Sequence, residues 1–206
     1  MTGSRAVRNL IIDLGGVVVD LDVERSLRAL QRLWNGDAAA PALLLESPVF
    51  HQFERGELSP TAFRGRLREI LQSRMTDGEL DAAWNAMILG VPRETLEWLE
   101  RLQGRGYRMF LLSNTNDIHL PFVESLLHAV SGAQTFDPWF DHCYYSHRLG
   151  MRKPDVQIYQ TVLEENSLDA SETLMIDDNP LNLEGAARAG LQTYLAESRH
   201  HVLQFD

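Results

Sequence analysis

Short apolar runs alternate with amphipathic segments along most of the chain. That pattern predicts a parallel sheet with helices on both faces. Four runs read as buried strands: Leu10–Asp13, Tyr107–Ser113, Cys143–Ser146 and Thr173–Asp177. A fifth, Leu191–Tyr194, carries a weaker signal. Three of the runs end on Asp13, Ser113 and Asp177. Open α/β sheets bind ligands beyond the carboxyl ends of their strands, so these side chains have a common place to converge.

Helices are expected between the strands. Glu94–Leu102 sets Leu96, Leu99 and Leu102 at helical spacing, with Pro92 near its start and Gly104 and Gly106 stopping it. Val156–Leu163 is a second helix, and Asn179–Ala189 a third, closed by Gly190. The stretch from about Leu21 to Leu89 differs, because no strand is expected in it. Val23–Trp34 is amphipathic, and Ser59-Pro60 reads as an N-cap followed by proline at the first helical position. Phe63, Leu67, Ile70 and Leu71 then share one face, and Thr76 and Glu79 have capping-box spacing. The expectation is an α/β, Rossmann-like core built from residues 1–20 and 90–206. A small all-helical module, residues 21–89, is inserted after the first strand.

With 206 residues, 44% hydrophobic and 23% charged, the chain is an ordinary folding sequence rather than a disordered one. Its formal net charge of −10 argues against nucleic-acid binding. A small anionic substrate remains compatible, since a divalent cation reverses the local field. The single cysteine, Cys143, allows no intrachain disulfide and no zinc spacing, and is read as a buried structural thiol. Val7–Val19 is apolar but is interrupted by Arg8, Asn9, Asp13 and two glycines, too broken for a membrane span or a signal peptide. A cytoplasmic protein is expected.

Four fragments carry candidate chemistry. Asp13, in Asp-Leu-Gly-Gly-Val, sets a carboxylate beside a small turn that lets backbone approach a ligand, although Asp-x-Gly-Gly is also a common turn. Ser113, in Leu-Leu-Ser-Asn-Thr-Asn, offers a hydroxyl for a phosphoryl oxygen, or simply an N-cap. Lys153, before Pro154, is a point charge able to neutralise a nucleophile and phosphoryl oxygens, or a surface lysine before a turn. Asp177-Asp178 repel one another unless a cation sits beside them, although acids also favour a helix start. Magnesium takes oxygen ligands of this kind.

In this order, each at a strand end, the fragments resemble the haloacid dehalogenase (HAD) superfamily, in its phosphatase-like branch with a helical cap after motif one. Asp13-Leu14-Gly15-Gly16-Val17 resembles motif one, Ser113-Asn114 motif two, Lys153-Pro154 motif three and Asp177-Asp178 motif four. Gly185–Gly190 resembles the stretch after motif four, and Phe53-Glu54-Arg55-Gly56-Glu57 is the most family-like piece of the cap.

The resemblance implies a magnesium-dependent phosphatase for a small phosphorylated metabolite, a sugar phosphate or similar. Asp13 would be the nucleophile and carry an aspartyl-phosphate. Magnesium would be held by Asp13, the Gly15 carbonyl and Asp178, with Asp177 joining directly or from behind. Ser113, the Asn114 N–H and Lys153 would hold the phosphoryl oxygens, and Phe53, Glu54 and Arg55 would reach the substrate from the cap.

One position departs from the family pattern. Most such phosphatases have a second aspartate two residues after the nucleophile, where this chain has Gly15. General acid–base help typically contributes ~10²–10⁴-fold. Asp20 and Asp22 are the nearest acids in sequence, and an acyl or anomeric phosphate would need less help. Other readings are a phosphoryl-transferring mutase, a non-catalytic phosphometabolite-binding protein and a 2-haloacid dehalogenase. The Asp177-Asp178 pair counts against the last. His119 and His147 lie where they would face the cleft, while His200-His201 reads as solvated. Trp34, Trp84, Trp98 and Trp139 read as packing anchors, and Phe50, Phe53 and Trp84 as cap core or pocket wall.

Overall fold

In the computed structural model, residues 6–34 and 47–205 are described, apart from the side chains of residues 199 and 200. Five parallel strands form one sheet. They are β1 (Asn9–Ile12), β4 (Arg108–Ser113), β5 (His142–Tyr145), β6 (Thr173–Asp177) and β7 (Gln192–Leu195), in the order β5-β4-β1-β6-β7. β1 is central because all four of its residues are apolar or satisfied and buried on both faces. Ile12 pairs with Leu111 on one side and Ile176 on the other, which brings three strand ends level.

The two-residue period of a strand divides the core in two. Leu10, Ile12, Met109, Leu111, Leu174 and Ile176 face one apolar cluster. It is closed by helices α5 (Arg93–Gly104) and α6 (His119–Ser131), which contribute Trp98, Leu99, Leu120 and Leu127. Ile11, Phe110, Leu112 and Met175 face the other cluster, closed by α8 (Val156–Glu165) and α9 (Pro180–Arg188). Cys143 lies half-buried on the edge strand β5 rather than fully buried, and burial pushes its thiol up to about 12, which disfavours the thiolate.

Among the described residues, four helices lie between residues 21 and 88: α1 (Val23–Leu33), α2 (Pro48–Glu54), α3 (Pro60–Leu71) and α4 (Asp77–Asn85). Their starts follow the expected chemistry. Ser59 accepts from the Ala62 N–H, and Thr76 and Glu79 form a reciprocal capping box. Phe53, Phe63, Leu67, Leu71, Leu80 and Trp84 meet in a third cluster, where Phe53 stacks on Phe63 at 4.0 Å and Trp84 meets Phe63 edge-on at 4.9 Å.

Three expectations change. No strand is expected in 21–89, yet β2 (Asp20–Leu21) and β3 (Ile88–Gly90) pair antiparallel where the chain leaves and re-enters the sheet unit. Strands of two and three residues are too short to show a period. Ser113 caps no helix, because α6 starts only at His119, after a loop and turn anchored by Asn116. Gly104 lies inside α5 rather than stopping it, and Gly106, at φ +85°, makes the turn.

Phe63→Ala removes the ring that bridges Phe53 and Trp84. It should cost ~3–5 kcal/mol, read as a lower urea midpoint; a shift below ~1 kcal/mol would show the aromatic trio to be dispensable.

Candidate active site

The sheet register brings Asp13, Ser113 and Asp177 to one end of the fold. Asp13 follows β1, and its N–H donates to the Ile176 carbonyl at 2.9 Å. The face that carries Ile11 and Met175 continues to Asp13 and Asp177, and Lys153 reaches that face from the loop before α8. The Lys153 ammonium is fully buried and lies 2.8 Å from Asp13 Oδ1 and 2.7 Å from Asp177 Oδ2. Burial alone would lower its pKa, but the two carboxylates outweigh burial and raise it, so it stays charged.

Lys153 is aimed by its backbone. A cis Lys153–Pro154 bond sits in a tight turn closed by Asp155 N–H to Arg152 C=O at 3.0 Å. The Asn114 side chain clamps the residue in both senses: Nδ2 donates to the Lys153 carbonyl and Oδ1 accepts from its N–H, both at 2.9 Å. Gly185 of α9 lies so close to Pro154 that a Cβ there would stand 2.3 Å from its carbonyl oxygen. The side-chain clamp of Asn114 has no signature in the sequence, since its partner lies 39 residues away.

The acids differ in what already binds them. Asp177 is saturated: Lys153 and Asn182 donate to Oδ2, while Asn182 and the Asn179 N–H donate to Oδ1. Asn182 was missed by the sequence reading, although it stands in the Asp-Asp-Asn-Pro-Leu-Asn run that opens α9. Asp13 Oδ1 takes the Leu14 N–H at 2.7 Å in addition to Lys153. No donor among the described residues reaches Oδ2. The Asp178 carboxylate rests against the β1 turn, where a Cβ at Gly16 would lie 2.1 Å from its Oδ2. Gly16, at φ +78°, is thus required for both conformation and room.

One carboxylate oxygen each from Asp13, Asp177 and Asp178 lies within 4.8 Å of the others. Burial, then Lys153 in opposition and the Asp177 and Asp178 charges in support, leave the Asp13 carboxyl pushed up to about 7. Burial and Asp177 also raise Asp178. Three hard oxygen donors with more negative charge than one lysine neutralises fit a divalent cation such as magnesium.

Beside this cluster, between the strand ends and the helices, lies a cavity of about 100 Å³ lined by Gly15, Ser113, Asn114, Phe50, Glu54 and His119 among others. Of the three cap residues expected at the substrate, only Glu54 lines it. Phe53 is turned into the third cluster against Phe63, and Arg55 pairs with Glu57 at 2.6 Å. Phe50 both lines the cavity and meets Trp84 edge-on at 5.5 Å.

His119 faces the cavity as expected. Its Nδ1 accepts from Asn116 Nδ2, its Nε2 donates to the Trp84 carbonyl, and burial lowers its pKa to about 4. It is a neutral strut between α6 and α4. His147 does not line the cavity; its ring is buried beside Asp117, with Nε2 3.3 Å from Oδ1. His201 is partly buried against Tyr194, and the His200 side chain lies outside the described residues. Neither acid proposed near Gly15 reaches the cavity: Asp20 borders a separate cleft with Leu89 and Arg93, and Asp22 pairs with Arg25 and Arg28. A Cβ at position 15 would instead meet Leu21 Cδ1 at 2.6 Å, so an apolar side chain fills the place beside the turn.

Fold and site together define an enzyme of the α/β class that works at the carboxyl ends of a parallel sheet. The haloacid dehalogenase-like hydrolase family matches residues 7–190, and the chain belongs to it. It is a phosphoric monoester hydrolase. A D-ribitol-5-phosphate phosphatase of Bacteroides thetaiotaomicron is 30% identical over 196 residues, 93% of either chain. A HAD family enzyme from the same organism, crystallised with magnesium, matches at TM-score 0.82 and 32% identity over 93% of either chain. The wild-type enzyme with magnesium and inorganic phosphate matches at TM-score 0.79 and 33% identity over 92% of this chain and 94% of that one.

A carboxyl moved from its ordinary 3.8 to about 7 binds a proton on folding, so its contribution to stability falls as pH rises between those values. Asp13→Asn should therefore raise the thermal midpoint of the metal-free protein at pH 7 and give no gain at pH 4. A lower midpoint at pH 7 would mean that pairing with Lys153 outweighs the burial of Asp13.

Proposed function

We propose that the protein is a magnesium-dependent phosphatase that hydrolyses a small phosphorylated metabolite, a sugar phosphate or similar, through an aspartyl-phosphate on Asp13. The reading rests on one juxtaposition: Asp13, with Oδ2 free of protein donors, lies beside a buried lysine and an acidic pair, in a chain related along its length to a D-ribitol-5-phosphate phosphatase.

Asp13 Oδ2 attacks phosphorus in line, and the bond to the ester oxygen breaks as the new P–O bond forms. Ser113, the Asn114 N–H and the Lys153 ammonium hold the phosphoryl oxygens, so positioning and charge neutralisation supply most of the catalysis. Water then attacks the phosphorus of the aspartyl-phosphate, phosphate leaves and the Asp13 carboxylate is regenerated. Asp13, the Gly15 carbonyl and Asp178 would hold magnesium, which when bound supplies positive charge to the phosphoryl group. Asp177 supports from behind, because its oxygens already accept from Lys153, Asn179 and Asn182. Residues 21–89 act as a cap over a core of residues 1–20 and 90–206, and the cap excludes water from the reacting centre.

Gly15 supplies no proton to the leaving oxygen, and Leu21 keeps that spot apolar. The leaving group takes its proton from water, so good leaving groups are favoured.

Phosphate release from sugar phosphates, acyl phosphates and nucleotides, with and without magnesium, tests the assignment. Magnesium-dependent turnover is expected, falling at least ~10³-fold in Asp13→Asn, as loss of a nucleophile requires. Asp178→Asn should lose both activity and the response to magnesium. Unchanged turnover in Asp13→Asn would remove the aspartyl-phosphate, and an unaltered magnesium response in Asp178→Asn would remove that residue from the metal.

A further inference from the structure

Glu54 is a carboxylate that the mechanism above does not use. It ends α2 and is 6% exposed. Its place is fixed from the sheet unit: Arg152 Nε donates to Oε2 at 2.8 Å across 98 residues of sequence. Two residues on, Gly56 sits at φ +68°, so close to the His147 carbonyl that a Cβ would stand 2.1 Å from its oxygen. Both contacts hold the end of α2 against the segment α7 (Ser146–Leu149) and the loop that carries Lys153.

The cavity beside Asp13 is where the leaving group of an ester would go. From residues 21–89 it receives Leu21, Phe50, Glu54, Met87 and Ile88, of which Glu54 alone is polar. Of the polar side chains across the cavity, Ser113 is assigned to the phosphoryl oxygens and two more are committed within the protein. Both amide atoms of Asn114 bind the Lys153 backbone, and both ring nitrogens of His119 bind Asn116 and Trp84. Glu54 Oε2 is taken by Arg152, while Oε1 accepts from no donor among the described residues. Burial holds the carboxyl above its usual range, with Arg152, Lys153 and Arg55 opposing the rise. A buried acceptor with open lone pairs is costly until a donor arrives.

We infer that Glu54, held by Arg152, is the specificity determinant of the leaving-group pocket: its free oxygen accepts a hydroxyl of the substrate and selects polyhydroxylated phosphate esters over apolar ones. The inference rests on the phosphatase reading and deepens it. The apolar remainder of the cavity would otherwise favour an alkyl chain. A site built to bind a hydroxyl rejects the analogue that lacks it, because its own polar group is left unpaired.

The test compares a pentitol 5-phosphate with n-pentyl phosphate, equal in carbon count, using wild type, Glu54→Gln and Glu54→Ala with magnesium present. Wild type should prefer the pentitol ester. In Glu54→Ala the ratio of kcat/KM between the esters should fall by roughly 10- to 150-fold, the size of one hydrogen bond to a charged acceptor. The loss should lie mainly in KM. Glu54→Gln keeps the shape and an acceptor, and should fall less; it decides the matter if the alanine variant does not fold. Equal losses on both esters in Glu54→Gln would overturn the proposal and leave Glu54 as a tie between α2 and Arg152. Turnover of p-nitrophenyl phosphate by wild type without preference for the pentitol ester would also overturn it, leaving the phosphatase reading intact. No turnover of any of the three esters would overturn both.

Discussion

The Lys153 ammonium has no exposure to solvent and two carboxylates within 2.8 Å. An uncompensated charge at such a site would cost several kcal/mol, so the strands that carry Asp13 and Asp177 must end level with each other and opposite the lysine. That requirement explains much of the surrounding architecture. The register of β1 against β6 brings the two acids level, the Asn114 clamp and the turn at Pro154 present the lysine, and Gly185 lets α9 close over that turn. The arrangement still leaves a surplus of negative charge once Asp178 is added against the β1 turn. The acidic cluster is thus held at the expense of local stability, and a divalent cation is the natural counterweight.

The helical segment between β2 and β3 is joined to this centre by Ile118, which packs in its aromatic cluster, and by a few specific polar contacts. His119 ties α6 to the Trp84 carbonyl, Arg152 ties the loop of Lys153 to Glu54, and Gly56 packs on His147. Its own aromatic cluster makes it cohesive, while the β2–β3 ribbon provides two strands of entry and exit. The place that a side chain at position 15 would take beside Asp13 is filled by Leu21 from that ribbon, so the same segment that shapes the pocket also leaves that spot apolar.

Local sequence determined the elements that rest on local physics. Short apolar runs marked the sheet strands, the last of them weakly, and Ser59-Pro60 and Thr76…Glu79 marked two helix starts, because capping joins residues three apart. Asp13, Ser113 and Asp177-Asp178 were legible because each stands at the end of such a run, and Lys153 because it precedes a proline in the loop that follows another. Tertiary structure alone decided which cap residue faces the cavity. Phe53, Glu54 and Arg55 are consecutive, and their separation into core, cavity and surface depends on how α2 docks on residues about a hundred positions away. It also decided that Asp177 is saturated and Asp178 is not, and that Asp20 and Asp22 face elsewhere. Hydrogen-bond capacity and pocket walls are settled by side chains that meet in space, and the chain order of those side chains carries no trace of the meeting.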